Sequence, residues 1–191
     1  MPHHDSLHGE PRRVSTAILT VSDTRTLETD ASGALIRRLL LRAGHPVVDF
    51  AIVPDDPKRI RRRLNLWSAD RRIQAVILTG GTGVSPRDQT FEAVEGLLEK
   101  KLDGFGEIFR MLSYRQVGSA AILSRALAGI YRNRIVFSLP GSERAVSLAM
   151  RRIILPELGH LAHEVTRGAP RRGGGGPPAP QLRHRRRGST P

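Results

Sequence analysis

The sequence predicts an α/β fold built on a mostly parallel, doubly wound sheet. Strand-like apolar runs alternate with helices of crossover length along most of the 191 residues. A glycine-rich loop, Gly80 to Gly83, also follows one of these strands and leads into a helix. A βαβα order of this kind places helices on the faces of a parallel sheet. In such sheets, ligands bind beyond the carboxyl ends of the strands.

The first half of the chain supplies three strands and two helices. Ser15 to Val21 is apolar and rich in β-branched residues, which predicts a strand, and Ala31 to Arg42 carries an apolar face at helical spacing. A second strand is predicted at Pro46 to Val53, and Pro57 to Ser68 has apolar residues at helical intervals. The third strand is predicted over residues 73–79.

The second half continues the alternation. A helix is predicted over residues 90–99, and a longer one at Gly104 to Val117. Two further strands are predicted at Ala126 to Tyr131 and Arg134 to Leu139, and residues 143–164 form a last helical region.

Composition excludes several classes of protein. The chain has no cysteine, which excludes disulfides, thiolate catalysis and zinc–cysteine sites. No apolar run approaches the ~18 residues of a membrane span, and the amino terminus lacks the apolar core of a secretory signal. The scattered histidines show no metal-ligand spacing, so zinc is not expected. We therefore expect a cytoplasmic protein without membrane contact.

The net charge of +13 is unevenly distributed. Residues 168–191 hold six arginines and no acid, among glycines and prolines, and are predicted to be a disordered tail. Residues 1–13 are predicted to be a flexible arm, which leaves residues 14–167 as the folded domain. The arginines of the 57–68 helix favour a solvated face over a nucleic-acid groove, because aromatic residues are not interleaved with them. Nucleic acid is therefore expected to make only non-specific contact, through the tail.

The glycine-rich loop predicts a phosphate site. Glycines let the backbone turn tightly and present free amide groups to an anion, and the start of the following helix favours negative charge. The loop is not a P-loop, because it lacks the lysine, and it is not a Rossmann fingerprint, because Pro86 stands in the place of the third glycine. The alternative is a turn between strand and helix with no ligand.

Acidic residues follow the predicted strands. Asp56 precedes Pro57 and is expected to cap a helix, which leaves Asp55 without a capping role. Asp88 or Thr90 is expected to cap the next helix. Two carboxylates beside a phosphate site are suited to Mg²⁺, which proteins hold with one or two carboxylates plus substrate phosphates.

Further candidate ligand-binding residues follow the first and the last predicted strands. Ser22 and Asp23 come after the first strand; the alternative for Asp23 is that it braces its own turn. Gly141 and Ser142 come after the last strand, and Ser142 is expected either to cap the final helix or to bind a ligand.

Five segments, in matching order over residues 14–167, resemble the MoaB/MogA family of molybdenum cofactor biosynthesis proteins, and most closely its MoaB branch. The gephyrin-type G domain belongs to the same group. The segments are Thr20 to Thr24, Thr79 to Asp88, Gly104 to Tyr114, Leu123 to Ala126 and Leu139 to Ser142.

The resemblance implies a three-layer α/β fold that binds molybdopterin and adenylylates it with Mg²⁺-ATP. It assigns catalysis and Mg²⁺ binding to Asp55 and Asp88, and it implies a homo-oligomer, either a trimer or a hexamer. The alternatives are a non-catalytic molybdopterin-binding protein and a nucleic-acid-binding protein; retention of both carboxylates favours the enzyme. The residues assigned to substrate are Ser22, Asp23, Thr79, Gly80, Gly81, Thr82, Gly83, Ser124, Pro140, Gly141 and Ser142.

Overall fold

The computed structural model describes residues 13–167, which form one six-stranded sheet with six α-helices. The predicted tail and the first twelve residues of the predicted arm lie outside the described residues. The elements are β1 (Thr16–Val21), α1 (Ala31–Arg42), β2 (Val47–Val53), α2 (Pro57–Ala69), β3 (Ala75–Thr79), α3 (Thr90–Glu95), β4 (Lys100–Lys101), α4 (Asp103–Val117), β5 (Leu127–Tyr131), β6 (Arg134–Leu139), α5 (Glu143–Ala149) and α6 (Leu155–Arg167).

The strands lie in the order β2-β1-β3-β6-β5-β4. The first four are parallel to one another, which confirms the predicted mostly parallel α/β fold. β5 runs antiparallel to β6, and β4 runs antiparallel to β5. Arg132 and Asn133 join β5 to β6 with φ values of 47° and 60°. Positive φ at both positions is typical of the tight hairpin turn whose twist matches that of the strands.

Two apolar cores, one on each face of the sheet, make the three layers. On one face, Ile36 of α1 and Phe109 of α4 pack with Phe137 of β6, and α5 and α6 add to the same core. On the other face, Leu64 and Trp67 of α2 pack beneath the sheet, together with α3. β1 is buried along its whole length because both cores cover it, as a central parallel strand requires.

Capping residues set where the first two helices begin. The carboxylate of Asp30 accepts hydrogen bonds from the Gly33 amide at 2.9 Å and from the Thr20 hydroxyl at 2.5 Å. The carboxylate of Asp56 accepts from the Lys58 amide at 2.7 Å. The predicted capping role of Asp56 is therefore confirmed.

The chain departs from the predicted elements in three places. The helix expected over 90–99 ends at Glu95, because the chain turns at Gly96 and the short strand β4 pairs with β5. A 3₁₀ turn, Gly118–Leu123, follows α4. The last helical region is two α-helices joined by a π-helical segment, Met150–Ile154. No helix within residues 13–167 has the length and apolar character needed to cross a membrane.

His45 joins the first described residues to the end of α1. The side chain is buried, and its Nδ1 accepts a hydrogen bond from the Val14 amide at 3.1 Å. An accepting nitrogen carries no proton, so this contact needs the neutral ring. Burial, which penalises the charged imidazolium, lowers the pKa of His45 below its ordinary value of 6.5.

We predict that protonation of His45 destabilises the fold in acid. The folded pKa is depressed, so the stabilisation is fully present above the unfolded pKa and is lost as pH falls below about 6.5. Urea unfolding at pH 7.5 and pH 5.5 should show a larger drop in the free energy of unfolding for the wild type than for His45→Gln. Equal drops for the two proteins would assign the acid sensitivity to other groups.

Candidate functional site

A polar crevice lies at the carboxyl edge of the sheet. The loops after β1, β2, β3 and β6 all leave the sheet at this edge, because these strands are parallel. β5 is antiparallel, so the chain enters it at the same edge. Ser124, which precedes β5, is therefore brought to the edge where the other predicted site residues lie.

The loop after β3 passes very close to its neighbours. Gly80 has φ +103°, and a Cβ atom at this position would overlap the carbonyl oxygen of Val21 at the end of β1. Gly81 has φ +62°, and a Cβ there would overlap the carboxylate of Asp55 and the hydroxyl of Thr90. Glycine is thus required at both positions for two reasons, backbone conformation and lack of space.

The amides of this loop are not equivalent. The Gly80 amide donates to the carbonyl oxygen of Leu139 at 3.0 Å, so it is already committed to the end of β6. Within the described part of the chain, the amides of Gly81, Thr82 and Gly83 have no acceptor. Of the four amides that were predicted to bind phosphate, three are therefore available.

Asp55 is held at the start of α3. Its carboxylate accepts from the Thr90 hydroxyl at 3.1 Å and from the Gln89 amide at 3.3 Å and 3.4 Å. Asp55 caps neither α2 nor α3, as expected, but its carboxylate contacts the residues that begin α3, because β2 ends beside this helix. Desolvation raises the pKa of Asp55, and the neighbouring carboxylates of Asp88 and Asp23 raise it further.

Asp88 closes the loop between β3 and α3. Its Oδ2 accepts from the Ser85 amide at 3.1 Å, while its own amide donates to the Ser85 carbonyl at 2.9 Å. A Cβ on Gly83 would lie 2.6 Å from Asp88 Oδ2, so the carboxylate lies against the glycine loop. Neither Asp88 nor Thr90 caps α3, whose capping position is Gln89.

Asp23 links three loops. Its Oδ1 accepts from the Asp55 amide at 3.2 Å, and its Oδ2 forms an ion pair with Arg87 at 3.0 Å. Both partners are solvent-accessible, so the pair contributes little stability by itself. It does connect the ends of β1 and β2 to the loop after β3.

The carboxylates of Asp55 and Asp88 are suited to a cation whose other ligands are phosphate or water oxygens. Within residues 13–167, no group of three or more acidic or histidine residues is arranged to hold a metal ion. Asp55 and Asp88 both lie against the glycine loop, each on a different glycine. Two carboxylates next to a phosphate cradle suit Mg²⁺, which prefers oxygen ligands and keeps phosphate or water in its remaining positions.

The end of β6 is bound to the rest of the crevice through backbone oxygens. The Thr79 hydroxyl donates to the Pro140 carbonyl at 3.1 Å, and the Ser32 hydroxyl donates to the Gly141 carbonyl at 2.8 Å. Ser142 Oγ accepts from the Ala145 amide at 3.2 Å, so it caps α5. This capping bond satisfies one of the two predicted roles of Ser142.

Ser22 also has a structural contact. Its hydroxyl oxygen accepts from the amides of Thr24 and Arg25 at 3.2 Å and 3.1 Å, which fixes the turn after β1. A serine hydroxyl can still donate to a ligand while it accepts from the backbone.

Sequence reasoning missed Arg125. One nitrogen of its guanidinium donates to the Gly83 carbonyl at 3.1 Å, and another forms an ion pair with Glu92 of α3. The same group lies over the ring of Phe91, 4.2 Å from its centre. Arg125 thus fixes the glycine loop to α3. The segment Leu123 to Ala126, which contains Arg125, contributed to the family resemblance. That Arg125 reaches the glycine loop follows only from the antiparallel direction of β5.

Comparison with known proteins identifies a matching family and similar proteins. The family described as a probable molybdopterin binding domain matches residues 17–160. Molybdenum cofactor biosynthesis protein B of Halalkalibacterium halodurans is 52% identical over 156 residues, which cover 81% of this chain and 92% of that protein.

Two solved structures are also similar. A molybdenum cofactor biosynthesis protein B has a TM-score of 0.81 and 48% identity, covering 83% of this chain and 99% of that one. The tungsten cofactor synthesizing protein MoaB from Pyrococcus furiosus has a TM-score of 0.70 and 40% identity, covering 81% of this chain and 98% of that one.

Glycine is required at position 80 because of its positive φ and because a side chain has no space. Substitution can separate these two reasons. Gly44 also has positive φ, +81°, but a Cβ there would meet no atom within 4 Å. We predict that Gly44→Ala costs roughly 1–2 kcal/mol, the penalty of a left-handed conformation, whereas Gly80→Ala costs clearly more because it also overlaps the Val21 carbonyl. Chemical denaturation measures both. Equal losses would show that the loop can move away from β1.

Proposed function

This chain belongs to the family described as the probable molybdopterin binding domain, and we propose that it adenylylates molybdopterin with Mg²⁺-ATP during molybdenum cofactor biosynthesis. The observation that carries the proposal is the pairing of Asp55 and Asp88 on one glycine loop that also presents free amides. The similar proteins described above bear the names of cofactor biosynthesis proteins. A binding protein alone would need the amides but not two carboxylates.

The reaction needs no protein nucleophile. An oxygen of the molybdopterin phosphate attacks the α-phosphorus of ATP, and the bond from that phosphorus to the pyrophosphate oxygen breaks. The products are adenylyl-molybdopterin and pyrophosphate. Acceleration in such a transfer comes from alignment of the two reactants and from stabilisation of charge in the transition state.

The amides of Gly81, Thr82 and Gly83 bind phosphate oxygens in this proposal, and Arg125 keeps them in place. Asp55 and Asp88 would hold Mg²⁺, which when bound neutralises charge on the phosphates. The raised pKa of Asp55 makes this carboxylate sensitive to pH. Protonation of Asp55 competes with metal binding, so activity falls as pH decreases toward that raised pKa.

A second candidate function is molybdopterin binding without catalysis. It is favoured by the contacts of Asp55, whose hydrogen bonds to Thr90 and Gln89 give it a structural role that does not require a metal. Incubation of the purified protein with molybdopterin, ATP and Mg²⁺ distinguishes the two functions. Formation of adenylyl-molybdopterin and pyrophosphate supports the enzyme; saturable pterin binding with no product under conditions where an active relative turns over supports the carrier.

We also propose that the protein is a homo-oligomer, either a trimer or a hexamer, assembled through α4. This helix and the 3₁₀ turn after it expose six large apolar side chains: Ile108, Met111, Tyr114, Val117, Ile122 and Leu123. Ile122 is 82% exposed, an unfavourable position for an isoleucine in a monomer. Contiguous apolar surface of this kind marks protein contacts.

The oligomer proposal predicts that Ile122→Glu shifts the protein toward monomers. A charge placed in a packed apolar interface must be desolvated, which opposes association. Sedimentation velocity measures the change. Leu41→Glu, at another exposed leucine outside this face, is the control and should leave the mass unchanged. A monomeric wild type would contradict the proposal.

For catalysis, we predict that Asp88→Asn lowers kcat by at least tenfold and leaves the Kd for molybdopterin within about threefold, because Mg²⁺ acts mainly on the transition state. Asp55→Asn should behave similarly. Asp56→Asn is the matched control, since asparagine caps helices about as well as aspartate, and it should keep near-normal turnover. Equal damage at Asp55 and Asp56 would show that this part of the site is misassigned.

A further inference from the structure

β2 is an open edge of the sheet and is unusually apolar for such a position. Its only strand neighbour in the described structure is β1. The sequence Val-Val-Asp-Phe-Ala-Ile-Val contains one polar residue, and five of the seven residues are only partly buried. An exposed apolar edge offers unpaired backbone groups to another strand. Natural proteins usually cover or interrupt such edges.

The edge has one interruption, at its start. The pairing with β1 shifts by one residue between Thr16 and Ala17, so Val48 has no partner on β1 and forms a bulge in β2. The Asp49 carboxylate accepts from the Phe50 amide at 2.7 Å and from the Trp67 indole at 2.7 Å. Phe50 to Val53, beyond the bulge, continues in regular register with β1. This regular part is the edge available for pairing, except for the Phe50 amide, which Asp49 already occupies.

Both sides of the edge carry arginines, and the α1 side adds the larger apolar lining. On the α1 side, a groove of about 850 Å³ is lined by the apolar residues Leu27, Leu41, Val47 and Phe50 and by three arginines, Arg37, Arg38 and Arg42. On the α2 side, a groove of about 520 Å³ is lined by three arginines of one helix face: Arg59, Arg62 and Arg63. An added strand would present alternate side chains to these two sides, because successive residues of a strand point to opposite faces.

The acidic residues near the edge do not neutralise these arginines. Asp30, in the α1-side groove, is buried and held by Gly33 and Thr20. Asp49 is committed to the Phe50 amide and to Trp67. Asp56 approaches Arg59 only to 3.9 Å. The α2 side therefore remains positively charged.

We propose that β2 accepts an extended, acidic segment of another protein as an additional strand of the sheet. Backbone hydrogen bonds to β2 hold the segment, as in other cases of strand addition. Its apolar side chains enter the α1-side groove, and its alternate carboxylates face Arg59, Arg62 and Arg63. The partner is thus defined by a pattern of alternating apolar and acidic residues.

Charge argues against a second copy and against the chain's own carboxyl-terminal segment. Two β2 edges paired about a two-fold axis would place the arginines of α2 against their own counterparts, which is unfavourable. Residues 168–191 carry six arginines and no acid. A nucleic acid would find charge here but little stacking surface, since Phe50 is the only aromatic side chain lining either groove.

The proposal is tested by fluorescence anisotropy with a labelled peptide, Glu-Val-Glu-Ile-Glu-Val-Glu, added to the full-length protein. We expect saturable binding that weakens with salt. Arg62→Glu should weaken binding at least fivefold. Arg151→Glu, the same charge change at an exposed arginine outside both grooves, should weaken it less than twofold. Thermal melts check that both variants remain folded.

Backbone pairing is tested separately with Glu-Val-Glu-Pro-Glu-Val-Glu, which keeps the charges but cannot pair as a continuous strand. Loss of binding with this peptide, and slowed hydrogen exchange in residues 47–53 with the first one, support the proposal. Three results would overturn it: equal affinity for the two peptides, equal effects of Arg62→Glu and Arg151→Glu, or tighter binding of a single-stranded oligonucleotide than of the first peptide at the same salt concentration.

Discussion

The crevice depends on how closely the backbone after β3 approaches its neighbours. At Gly80 the chain contacts the end of β1 and bonds to the end of β6, and at Gly81 it contacts the carboxylate that follows β2. Four strand ends are thus drawn together at one place by two residues without side chains. The amides that follow have no protein acceptor in the described part of the chain. The arrangement that we propose binds phosphate is therefore a direct product of how the sheet is packed.

Asp55 has a structural contact with α3 and also a place in the proposed cation site. The contacts that hold it to α3 also fix its carboxylate beside the glycine loop, close enough to Asp23 and Asp88 for their charges to raise its pKa. Clustered carboxylates are unfavourable unless a cation or protons relieve the repulsion. The Mg²⁺ that we propose at this site would relieve this repulsion.

Local patterns predicted most of the fold. The bounds of α1 match those expected, and β6 does as well, because apolar periodicity and capping residues agree there. The prediction of helix for residues 96–99 was wrong, because pairing of Lys100–Lys101 with β5 overrides the helical pattern. In the site, the aspartates and glycines could be found by their place after strands. Arg125 could not, because its contacts with Gly83 and Glu92 join segments more than thirty residues apart.

The hydrogen bond from Ser32 to Gly141 joins residues 109 positions apart in the sequence. The crevice is therefore assembled from much of the length of the domain, and the parallel pairing of β3 with β6 is also non-local, since Ala75 pairs with Ile135. Such non-local contacts form late and make folding slow. During synthesis, β6 and the residues just after it must leave the ribosome before the crevice can form. The emerging amino-terminal half is a scaffold with exposed strand edges, and it depends on rapid completion of the sheet to escape aggregation.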